Sequence, residues 1–112
     1  AMTLNLALNY SGRDEILRAC RNLVARGTAP EAVTEEAFQA QLYTAGQPDP
    51  DMIIRTSGEL RLSNYLLFQA AYSEFYFTDV LWPDFSPDHF EQAVRDYQHR
   101  QRRFGKTGEQ LP

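Results

Sequence analysis

In TLNLALNY, residues 3–10, leucines stand at Leu4, Leu6 and Leu8, with polar or small residues between them. Alternation with a period of two predicts a strand with one apolar face. The period then changes. In SGRDEILRACRNLVARG, Ile16, Cys20 and Leu23, with Leu17 and Val24 beside them, recur at helical spacing, and Gly27 supplies a stop. Thr34 followed by Glu35 and Glu36 predicts an N-cap and an acidic first turn, opening a second helix that runs to about Thr44. AGQPDPD is loop chemistry. MIIR is short, apolar and β-branched, as a strand buried on both faces would be. Ser63 or Asn64 is placed to cap a helix through NYLLFQAAYS. EFYFTDVLW predicts a third strand, which Pro83 ends. Ser86 before Pro87 marks the start of a last helix, whose apolar stripe is Phe90, Val94, Tyr97 and Phe104. KTGEQLP reads as a frayed end.

The order β-α-α-β-α-β-α predicts an α/β fold: a mainly parallel sheet with flanking helices, about three strands and four helices. At 112 residues the chain is a single domain at most. Three parallel strands make a small sheet that needs cover on both faces. Residues 1–112 are therefore expected to be part of a larger domain, or to be completed by a partner.

Composition changes this picture little. The net charge of −4 argues against a nucleic-acid partner. RDYQHRQRRFGK is a local basic exception. A lone cysteine, Cys20, can form no internal disulfide, which suggests a reducing compartment and a buried apolar role. No apolar run approaches the length of a membrane span, and no signal peptide is evident.

The chemistry concentrates after MIIR. Arg55, Glu59 and Arg61 lie in a short turn with Ser57 and Gly58 between them, and Ser63 follows. In open α/β sheets ligands bind beyond the carboxyl ends of strands, where Arg55 is expected. A helix starting near Ser63 would expose unpaired N–H groups that favour anions. Guanidinium forks suit phosphate oxygens. A phosphate or diphosphate ligand is one reading; structural ion pairs of Arg55 and Arg61 with Glu59 or nearby aspartates are the other. Glu74 is either a solvated helix end or a ligand for a hard cation such as Mg2+. His89 and His99 read as surface residues rather than metal ligands. No nucleophile constellation and no glycine-rich nucleotide loop is present.

Three stretches together resemble one family. IIRTSGELRLSNYLLFQAAYSEFYFTDVLWPDF resembles the C-terminal signature of the cis-prenyltransferases, above all their bacterial undecaprenyl diphosphate synthase branch. LNLALNYSGRDEI looks like the strand-and-helix motif preceding it, and RRFG is similar to the family's closing Arg-x-Gly element. The resemblance covers nearly the whole chain, in order. It implies a Mg2+-dependent condensation of isopentenyl diphosphate with an allylic diphosphate such as farnesyl diphosphate, in a cytoplasmic homodimer that touches membranes at most peripherally through its lipid product. It implies that Arg55, Arg61 and Ser63 hold the isopentenyl diphosphate, and that Arg103 and Gly105 reach that diphosphate across a dimer interface. It makes Glu74 a Mg2+ ligand and places Asn9 and Arg13 near the active site. The family's N-terminal half, with its Asp-Gly-Asn-Gly-Arg loop for the allylic diphosphate, has no counterpart here. The chain is thus expected to be the C-terminal portion of a single catalytic domain, inactive alone. The alternative is a non-catalytic accessory subunit of such an enzyme.

Overall fold

A computed structural model describes residues 2–100. The chain divides into two compact units. Among the described residues, 2–48 and 62–68 form the first and 49–61 and 69–100 the second.

Helix α1, Gly12–Ala25, organises the first unit. Ser11 caps it, its Oγ accepting from the Asp14 N–H at 3.3 Å. The buried stripe of α1 is Gly12, Glu15, Ala19 and Leu23. Cys20 is exposed, against expectation, and so are Leu17 and Val24. The burial face is rotated by about one position from the one the apolar residues suggested, because it runs through an acid. Glu15 is 1% exposed, and its carboxylate accepts from the Tyr10 hydroxyl and from the Tyr43 backbone N–H, the latter at 2.7 Å. A buried carboxylate is tolerable only when hydrogen-bonded in this way. Tyr10 also meets Tyr43 and Tyr65 edge-on, with ring centroids 6.5 and 5.4 Å away.

Helix α2, Glu35–Gln39, packs against α1. Thr34 caps it as expected, accepting from the Ala37 N–H at 3.1 Å. The helix stops early and continues to Gln47 as tight turns with bonds from residue i to i−3, such as Gln41 N–H to the Phe38 carbonyl at 2.9 Å. The Leu4–Leu6–Leu8 run forms no strand among the described residues, and each leucine is at least 80% exposed. Alternation marks a face; it takes a neighbouring strand to make a ladder.

The second unit holds the sheet. Strands β1, Met52–Arg55, and β2, Glu74–Phe77, pair in parallel, Met52 opposite Glu74 and Arg55 opposite Phe77. Both strands are half-buried rather than enclosed, with α3, Pro87–His99, packed against β2. The start of α3 follows the sequence closely. Ser86 and His89 form a reciprocal capping box, Ser86 N–H donating to His89 Nδ1 at 3.0 Å, with Pro87 at the first helical position. Ala93 is buried, Val94 and Tyr97 half-buried, and Phe90 exposed.

These elements make the chain α/β, with a parallel strand pair and three α-helices among the described residues. The helix anticipated through residues 64–73 is absent: that segment is a series of turns. Ser63, Asn64 and Leu66 have φ of 54°, 61° and 46°, a left-handed backbone that L-residues do not propagate as a helix.

Candidate functional site

In the second unit, Arg55 closes β1, so its side chain leaves from the carboxyl end of the strand pair. The turn that follows is tied to the segment after β2. Ser57 N–H donates to the Val80 carbonyl at 2.8 Å and Gly58 N–H to the Thr78 carbonyl at 2.9 Å, while Thr78 N–H donates to the Arg55 carbonyl at 3.0 Å. Ser57 and Gly58 achieve this with φ of 66° and 73°, and a Cβ on Gly58 would come within 3.2 Å of Asp79 Oδ1. Gly58 suits the left-handed backbone here, and a larger residue would need a small shift of the Asp79 side chain.

The two arginines differ. Arg61 Nη2 bonds Glu59 Oε2 at 2.8 Å, with the Arg61 side chain 75% exposed. The ion-pair reading therefore has a basis for Arg61, although exposed pairs contribute only about 0–1 kcal/mol and release their partners readily. No ion pair or side-chain hydrogen bond engages the Arg55 guanidinium among the described residues.

Glu74 opens β2 and lies opposite Met52, at the amino end of the pair. Arg55 and Glu74 are thus separated by three residues of strand, roughly 10 Å. The carboxylate is engaged: Arg100 Nη1 lies 3.5 Å from Glu74 Oε2, while the same guanidinium bonds Asp96 Oδ2 at 2.5 Å and the Phe75 carbonyl. Among the described residues no cluster of three or more His, Cys, Asp or Glu side chains could hold a metal ion. These residues do not by themselves form a Mg2+ site; Glu74 can offer one carboxylate.

In the first unit, Asn9 has φ of 53° and is exposed, as are Arg13 and Ser63. What links the last two is Asn64. Its carbonyl accepts from the Gly12 N–H at 2.8 Å, its Oδ1 from the Arg13 N–H at 2.9 Å, and its Nδ2 donates to Ser11 Oγ at 2.8 Å. The Gly12 and Arg13 N–H groups, in the first turn of α1, are therefore filled by a residue fifty-one positions beyond Arg13. Ser63 starts no helix, so the helix-end contribution to anion binding anticipated there is absent. Left-handed φ costs about 1–2 kcal/mol per non-glycine residue, so the Ser63–Asn64 turn needs such outside bonds.

Glu15 was not legible as a polar centre, because periodicity assigns buried positions to apolar residues. Arg18 adds to its surroundings, with its guanidinium 4.6 Å from the Tyr43 ring centroid and Nη1 on the Gln41 carbonyl at 3.1 Å. Burial, then the hydrogen bond to Glu15 and its charge, push the Tyr10 phenol well above its ordinary range. Arg103 and Gly105 lie outside the described residues.

Residues 1–105 match the family model described as "Putative undecaprenyl diphosphate synthase". The chain belongs to this family of prenyltransferases. It is 57% identical over 113 residues to an isoprenyl transferase of Thermus thermophilus, covering 94% of this chain and 43% of the relative. With an isoprenyl transferase of Clostridium tetani it shares 53% over 108 residues, covering 93% and 42%. Among crystal structures, lavandulyl diphosphate synthase from Lavandula x intermedia in complex with dimethylallyl diphosphate superimposes with a TM-score of 0.83 at 39% identity, over 88% of this chain and 44% of that one. A probable undecaprenyl diphosphate synthase from Campylobacter jejuni gives 0.78 at 34% identity, over 91% and 47%. The chain spans less than half the length of these relatives. No helix among the described residues is long and apolar enough to cross a membrane.

Proposed function

We propose that this chain is the isopentenyl-diphosphate-binding, C-terminal portion of a cis-prenyltransferase domain. The complete enzyme condenses isopentenyl diphosphate with an allylic diphosphate such as farnesyl diphosphate, in the cytoplasm and as a homodimer. The observation that carries this reading is Arg55: a half-buried arginine at the carboxyl end of a parallel strand, with no ion pair among the described residues. A cation so placed calls for an anionic ligand. Arg61 stands on the same turn in an easily exchanged surface pair. The family resemblance assigns the same diphosphate to Ser63, and to Arg103 and Gly105 near the chain's end.

The chain's contribution is positioning and charge stabilisation. Arg55 and Arg61 neutralise the isopentenyl diphosphate and fix its orientation, so that the alkene carbon attacks the allylic centre as the allylic C–O bond breaks. A proton is then lost from the condensed product. Mg2+, when bound, would supply charge neutralisation at diphosphate oxygens, and Glu74 would contribute one carboxylate to holding it.

The test is incorporation of labelled isopentenyl diphosphate into polyprenyl product. The protein from the complete reading frame is expected to be active and the 112-residue chain alone inactive. A complete protein with no activity, alone or with an allylic diphosphate, would favour the accessory-subunit reading instead.

A further inference from the structure

We propose that Asn64 is a positioning residue for Ser63, and that the Asn-Tyr-Ser-Gly-Arg motif, residues 9–13, is the platform it works against. This rests on the reading of Ser63 as a diphosphate ligand. Ser63 is exposed and left-handed, with φ of 54°, and has no regular secondary structure to hold it there. The next residue supplies the hold. Through its own carbonyl, Oδ1 and Nδ2, Asn64 makes the three bonds to Gly12, Arg13 and Ser11 that fix the turn on the first residues of α1.

The residue type follows from these demands. Asparagine tolerates left-handed backbone better than most L-residues, and here φ is 61°. Its amide is donor and acceptor at once, which suits a site presenting a backbone N–H and a hydroxyl oxygen. Aspartate would keep the acceptor for Arg13 N–H and lose the donor. Gly12 is fixed by the same contact: a Cβ there would lie 3.0 Å from the Asn64 carbonyl oxygen and 2.9 Å from Leu67 Cγ. The small residue lets the Ser63 turn approach the helix.

The experiment uses the complete protein and compares wild type, Ser63→Ala, Asn64→Ala, Asn64→Asp and the double alanine variant. Asn64→Ala is expected to raise KM for isopentenyl diphosphate roughly fivefold, with KM for the allylic diphosphate changed by less than about twofold. Asn64→Asp should retain most of the wild-type affinity. The double variant should be no worse than Ser63→Ala alone, because Asn64 acts through Ser63. An equal rise in both KM values, or full additivity in the double variant, overturns the proposal. So does a lower melting temperature with both KM values unchanged. If Asn64→Ala does not fold, Asn64→Gly, which suits the left-handed backbone but loses both side-chain bonds, carries the comparison, and a KM shift as large for the allylic substrate as for isopentenyl diphosphate overturns the proposal there too. A silent Ser63→Ala removes Ser63 from the diphosphate site. An effective Ser63→Ala beside a silent Asn64→Ala removes only the positioning role.

Discussion

The Arg100 guanidinium and the Glu74 carboxylate approach to 3.5 Å, so the residue that caps α3 is coupled to the acid that opens β2. Two roles for Glu74 follow and they separate cleanly. As a Mg2+ ligand, Glu74→Gln lowers turnover and moves the Mg2+ midpoint of the complete enzyme upward. As a counter-ion for Arg100, Glu74→Gln and Arg100→Ala each lower the melting temperature and leave the Mg2+ midpoint alone. We expect the first outcome for Glu74→Gln. Steady-state rates across a Mg2+ titration decide it, and an unmoved midpoint strikes Glu74 from the metal site.

Arg55→Ala should raise KM for isopentenyl diphosphate more than KM for the allylic substrate. The lost contact is charge-assisted, on the order of 1.5–3 kcal/mol, which is roughly tenfold or more in affinity. Arg61→Ala should act in the same direction. Equal effects on both substrates would mean that the wrong diphosphate has been placed at this turn.

Tyr10 predicts an alkaline limit. Its phenol is held above the ordinary value of 10.0 by burial and by Glu15. The folded chain therefore keeps this proton when the unfolded chain has lost it. The associated stability is complete below pH 10 and declines as pH rises from there toward the folded-state value. Tyr10→Phe should be less stable at neutral pH, because Glu15 loses a donor, yet should lose less stability on passing to more alkaline solution. Denaturant unfolding at a series of alkaline pH values checks this. Parallel curves for the two proteins would contradict it.

Phe77, Leu81, Trp82 and Phe90, all in the second unit, are between 41% and 69% exposed. The dimer proposed for the complete enzyme would cover such exposed apolar side chains. Trp82→Asp in the complete enzyme should shift a dimer toward monomer in sedimentation velocity. An oligomeric state unchanged by that substitution would put the interface elsewhere.

The parts of the fold legible in the sequence were those written in local chemistry. Thr34 and Ser86 announced their helices because caps act within three residues, and MIIR and EFYF carry the β-branched and aromatic residues that pleated surfaces favour. Residues 64–73 were misread for the complementary reason. Their apolar spacing allows a helix, but the bonds that fix Asn64 come from Ser11 to Arg13, which no local pattern reveals. The arginine turn was legible as a concentration of charge, while the different situations of Arg55 and Arg61 emerge only from their partners. The separation of Arg55 from Glu74 was available in principle: one ends its strand and the other begins its own, and parallel pairing puts such residues at opposite ends.

The exposed leucine run has a consequence for handling the chain in solution. Leu4, Leu6 and Leu8 present a greasy comb on backbone that no neighbouring strand occupies among the described residues. Such segments recruit copies of themselves edge to edge, and protein concentration controls the rate. The isolated chain should therefore scatter light increasingly on concentration, and Leu6→Lys, which places one charge in the middle of the comb, should keep it clear.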